Sequence, residues 1–194
     1  MREKAAALAG TLRALSGQPA ALVFCDFPCA DISPAVYKSR IRSEGRRCGL
    51  RPGELLFTSD IGYPDGFPRA GVLELFGLSN LFLCPSRSES FGLTVLEAAA
   101  RGNLLVVNQA VPALEELGGA LGAIFMRWDA RNFDCDTHET YHPSERLYRE
   151  EHAREILRRL REDPVLRART LARTRYSSRA VFREYLLPLL TGVE

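Results

Sequence analysis

Apolar residues at Ala6, Leu8, Ala9, Leu12 and Leu15 recur with the spacing of one helical face. Gly17 follows as a stop, so the pattern predicts a helix over residues 2–16. Ala20–Cys25 is apolar throughout and ends at Asp26, the pattern of a buried strand. Pro34 opens the next helix, with Ser33 as its N-cap and Gly49 just beyond Arg47. Short apolar runs then alternate with helical patterns. Strands are expected at Glu54–Thr58, Asn80–Cys84, Asn103–Val107 and Leu121–Met126, and helices at Val72–Leu78, Phe91–Arg101 and Pro112–Leu117. The segment Ser59 to Arg69, rich in Gly, Pro and Asp, reads as a long loop. From His142 the pattern turns helical and charged, with a break near Pro164.

Strands that are apolar along their whole length, each followed by a helix, predict an α/β fold. The sheet would be parallel, doubly wound and covered on both faces. It would occupy residues 1–141, with a helical extension over residues 142–194 packed on the same domain. Ligands of such sheets sit at the carboxyl ends of the strands. The loops after Cys25, Thr58, Cys84 and Val107 are therefore expected to share one rim.

Composition narrows the classes. A chain of 194 residues, 46% hydrophobic, suits an ordinary globular core, and a net charge of +2 offers no electrostatic case for nucleic acid. Lys4 and Lys38 are the only lysines among 26 basic residues. Five cysteines, an odd number, do not make a disulfide framework, and a reducing cytoplasm is expected. Cys25 and Cys29 read as a buried thiol and a loop thiol. Arg13 interrupts the N-terminal apolar stretch too early for a signal peptide or a membrane span. Cys135, His138 and His142 are zinc-binding types, but three ligands in a polar loop without a partner pair make weak evidence for a metal. The C-terminal arginines, from Arg146 to Arg183, interleave with glutamates as a solvated face does; a peripheral membrane contact is the alternative.

The densest chemistry lies between Pro85 and Glu97. A strand, Leu81–Cys84, leads into a polar turn and then a helix, with Glu89 in the turn and Glu97 in the helix, eight residues on. N–H groups at a helix start are free to hold an anion. Gly92 has no Cβ and lets a ligand approach the backbone. An ionised carboxylate accepts hydrogen bonds from vicinal hydroxyls. Two acids bracketing an anion site fit a phosphorylated, hydroxyl-rich ligand. The plainer reading is a capping acid and a solvated helix face.

The stretch from Asn80 to Ala98, with Gly102–Asn108 and Pro112–Glu116 after it, resembles the C-terminal domain of family 4 (group 1) glycosyltransferases of GT-B fold, which share a Glu-x7-Glu motif. The resemblance covers about residues 54–126, and the tail around Phe182–Leu186 is similar to the family's closing helices. It implies a Rossmann-like domain that binds a UDP-, GDP- or ADP-sugar without an obligatory metal or other cofactor, within a retaining hexosyltransferase. Glu89 would lie against the donor sugar and Glu97 against the ribose, with Phe91, Gly92 and Leu93 offering backbone N–H groups. Lys4 is the residue that could match the family's diphosphate-binding lysine; a frayed N-terminus explains it equally well. Tyr63 lies where the family seats the base, either stacked on it or simply packed down. The family's preceding acceptor domain, and its diphosphate-binding arginine, have no counterpart here. The expectation is therefore a donor-binding half, weak or inactive alone. The alternative is a non-catalytic Rossmann-like module in assembly or regulation.

Overall fold

The computed structural model describes residues 2–26, 33–128, 146–162, 169, 172–173 and 175–191. Helix α1 (Arg2–Ser16) forms where its periodicity predicts, but it is buried on every side from Ala5 to Leu12. Leu15, expected on the apolar face, is exposed. The reason is tertiary: α1 lies between the strands, α2 (Pro34–Arg47) and α6 (Arg146–Arg161). Its Ala5, Leu8 and Leu12 cluster with Ala153 and Ile156 of α6, and its Ala6 with Tyr37, Ile41 and Phe57. Pro34 opens α2 as expected, but the Ser33 side chain caps nothing. The Ser33 carbonyl instead accepts the N–H groups of Val36 and Tyr37 at 3.0 and 3.2 Å.

Strands β1 (Leu22–Phe24) and β2 (Leu55–Phe57) pair in parallel, Leu22 opposite Leu55. A second parallel sheet has the order β3 (Leu81–Cys84), β4 (Leu104–Asn108), β5 (Ile124–Met126). On one face of it lie α3 (Arg69–Leu78), α4 (Leu93–Arg101) and α5 (Pro112–Leu121), meeting Leu105 and Val107 with Phe76, Val95 and Leu114. The other face meets α1 and α6 through Leu104, Val106, Met126 and Trp128. Alternation along β4 sends successive side chains to opposite faces, and helices cover both. This is the Rossmann-like arrangement of parallel strands flanked by helices. The expectation of strands buried on both faces holds fully only for β4. On β1 and β2, Val23 and Leu56 are 36% and 41% exposed, because α1 and α2 cover only one face of that pair.

Some ends move. Helix α5 runs past the expected Leu117 to Leu121, and Gly118 within it seats the Phe125 ring: a Cβ there would lie 2.9 Å from it. Asn103, expected to begin a strand, is 1% exposed and fastens two helix ends. Its amide donates to the carbonyls of Phe76 and Ala98 at 2.7 and 3.1 Å, and its Oδ1 accepts from Ser79 at 2.5 Å. The C-terminal helical stretch Ser178–Val181 continues through a π-helical turn, Phe182–Leu186, into Leu187–Thr191, with Phe182, Tyr185, Leu189 and Leu190 exposed. Among the described residues no helix is long and apolar enough to cross a membrane. Pro164 lies outside them.

Candidate functional site

Helix α4 begins two residues later than Phe91 because Gly92 is its N-cap in the left-handed region, φ 83° and ψ 45°. A Cβ there would be strained and would stand 3.2 Å from Leu114 Cδ2, so the turn and the packing of α5 both require glycine. The Gly92 carbonyl accepts the N–H groups of Val95 and Leu96 at 2.9 and 3.3 Å. The N–H groups of Leu93 and Thr94 then have no acceptor among the described residues. That open helix end carries partial positive charge. Phe91 and Leu93 beside it are 49% and 66% exposed.

The turn from Pro85 to Ser90 is held from below by Asn108, which ends β4 one residue past the expected strand end at Val107. Asn108 is 1% exposed. Its Nδ2 donates to the Ser86 carbonyl at 2.9 Å, and its Oδ1 accepts the Ala110 N–H at 3.1 Å and the Trp128 N–H at 3.5 Å. One amide thus joins the rim ends of β3, β4 and β5. Glu89, half-buried in this turn, has no hydrogen bond or ion pair with any described residue. Burial, with a smaller contribution from the Glu89 charge, pushes the Cys84 thiol up to about 11, so the sulfur stays protonated.

Glu97 is not idle. Its carboxylate pairs with Arg69, the first residue of α3, and the arginine side chain is 77% exposed. Tyr63 is 39% exposed and meets Phe67 edge-on, ring centroids 4.7 Å apart. Lys4 donates to the Trp128 carbonyl at 2.5 Å, which puts its ammonium at the end of β5.

A second polar cluster closes the ends of β1 and β2. Asp26 Oδ2 accepts from Tyr37 Oη and Ser59 Oγ, each at 2.6 Å. Its Oδ1 accepts the Ser59 N–H at 3.0 Å and the Thr58 hydroxyl at 3.2 Å. Lys38 Nζ stands 3.7 Å from Asp26 and donates to Ser59 Oγ and Asp60 Oδ1, both at 2.5 Å. Burial alone would raise the Asp26 carboxyl. The hydrogen bonds from Ser59 and Tyr37, and the Lys38 charge, outweigh it and hold the group well below the usual carboxylate range. Burial and then Asp26 push Tyr37 up to about 12, so it remains a phenol that donates. The one signal for this cluster in the sequence was a lysine, Lys38, in a chain that otherwise uses arginine.

The expected buried thiol, Cys25, is exposed at the end of β1; the buried one is Cys84. Cys29, Cys135, His138 and His142 lie outside the described residues. Among the described residues no group of acids, cysteines and histidines forms a metal cluster.

Residues 60–120, from the turn after β2 to α5, match the family model of glycosyl transferases group 1. Glu89, Gly92, Glu97 and Arg69 fall within the match; Lys4 and Asp26 fall outside it. No curated protein matches the chain.

Proposed function

We propose that this chain binds the nucleotide-sugar donor of a retaining glycosyltransferase, a hexose carried on UDP, GDP or ADP. The observation that supports it is the open first turn of α4, flanked by Glu89, whose carboxylate makes no hydrogen bond or ion pair among the described residues, and by Glu97 further along the helix. The N–H groups of Leu93 and Thr94 receive the diphosphate, a helix N-terminus being favourable to negative charge. Glu97 accepts from the ribose hydroxyls, and Glu89 from the donor sugar. Lys4 adds positive charge at the rim, and Tyr63 offers a face for the base. No metal is assigned to the site.

In the transfer, the bond between the anomeric carbon and the diphosphate oxygen breaks, its electron pair leaving with the nucleoside diphosphate. An acceptor hydroxyl oxygen bonds to the same carbon, and its proton passes to the departing phosphate. Glu89 stabilises the positive charge that develops on the sugar. The acceptor is held by groups beyond this site.

Titration of the chain with UDP, GDP and ADP by calorimetry tests the donor reading. At least one is expected to bind. Glu97→Ala should weaken that binding more than tenfold, since hydrogen bonds to a charged group are worth about 1.5–3 kcal/mol. Absence of binding by all three at millimolar concentration would leave a non-catalytic module as the better account.

A further inference from the structure

The segment 58–68 connects the end of β2 to α3, and residues 61–68 within it hydrogen-bond, among the described residues, only to one another, to Thr58 and to the adjoining Val72. Its attachment to the rest of the fold is concentrated at its two ends. At the far end Arg69 reaches Glu97. At the near end a carboxylate only 2% exposed takes four hydrogen bonds, three of them from Thr58 and Ser59. The Asp26 N–H in turn donates to Thr58 Oγ1 at 3.1 Å. Asp60 is held alongside by Lys38 and Arg42.

We infer that Asp26 is a positioning residue for the nucleotide site: by fixing Thr58 and Ser59 it sets the loop that forms the wall between β2 and Glu97. The inference rests on the donor reading above and extends it to a residue outside the matched segment. Asp26 itself touches no ligand. It acts through the loop that carries Tyr63.

Both oxygens of Asp26 are acceptors, each for two donors. An asparagine in its place either sets its amide N–H2 against the Ser59 N–H, which can only donate, or turns it to Tyr37 and Ser59 Oγ, whose hydroxyls must then reverse to accept; in both cases the negative charge that strengthens the bonds and faces Lys38 is gone. The loop would then keep its local bonds and be anchored more weakly. Binding of the base and ribose should suffer, while binding of a bare diphosphate at α4 should not.

The experiment compares the full chain with Asp26→Asn and Ser59→Ala, using whichever of UDP, GDP and ADP binds, and inorganic pyrophosphate as competitor. Circular dichroism checks that each variant is folded. Asp26→Asn should lose about tenfold in nucleotide affinity with pyrophosphate inhibition unchanged within twofold; Ser59→Ala should lose about threefold with the same selectivity. A purely structural role would lower the unfolding temperature and leave the affinity ratio alone. Unchanged nucleotide affinity in the folded variants, or equal loss for both ligands, overturns the inference while the donor reading stands. Should Asp26→Asn not fold, Ser59→Ala decides by the same criterion. A wild-type chain that binds neither ligand overturns the donor reading and this inference with it.

Discussion

On the proposed donor reading, Arg69 stands where a ribose hydroxyl would bind Glu97. Its ion pair with Glu97 is solvent-facing on the arginine side, and such pairs contribute roughly 0–1 kcal/mol. A donor bound as proposed would therefore displace it at small cost. Arg69→Ala should change nucleotide affinity by no more than about fivefold, in the direction of tighter binding. A loss comparable to that of Glu97→Ala would instead make Arg69 part of the ligand's own contacts. Glu89, Gly92 and Glu97 were legible in the sequence because strand, turn and helix are contiguous. Arg69, Asn108 and Asp26 were not, since their partners lie 28, 22 and 33 residues away. A linear pattern carries no signal for such pairings; only the crossing of loops on the rim creates them.

At the scale of elements, the packing of α1 on α2 decides how close the two helices come. Gly10 sits in the middle of α1, where glycine costs about 1 kcal/mol relative to alanine. A Cβ at Gly10 would stand 2.8 Å from the Gly45 carbonyl oxygen and from the Cys48 carbonyl carbon, backbone atoms that cannot rotate away. Overpacking of this kind typically costs about 1–3 kcal/mol, which outweighs the gain in helix propensity. Gly10→Ala should therefore lower the midpoint of denaturant unfolding. A raised midpoint would show that the helices separate at no cost. Periodicity located α1, yet it assigned Leu15 to the core and left Gly10 unremarked. The helix is surrounded, so its burial follows its neighbours more than its own apolar stripe.

At the scale of the molecule, three apolar clusters hold the described residues together, and the only tryptophan of the sequence, Trp128, is 1% exposed within the one that joins α1, α6 and the larger sheet. Its fluorescence should report unfolding of that core. Asp26 has a folded-state pKa below its unfolded value of about 3.9, so its stabilisation is complete above that value and is lost as pH falls through and below it. Acid unfolding followed at Trp128 should thus steepen below about pH 4 in the wild type. Asp26→Asn should be less stable at neutral pH and lose less between pH 4 and 2; identical acid slopes would remove Asp26 from the balance. The amino-acid sequence by itself determined the order of strands and helices, their parallel α/β character and the acid–turn–helix block from Glu89 to Glu97. Each of these depends on residues within one or two turns of each other. Tertiary structure alone decided that the described strands form two sheets, that Val23 and Leu56 on the β1–β2 pair are left exposed, and that Asp26 and Asn108 tie the rim together. Those outcomes depend on which distant segments meet, and local spacing does not encode that.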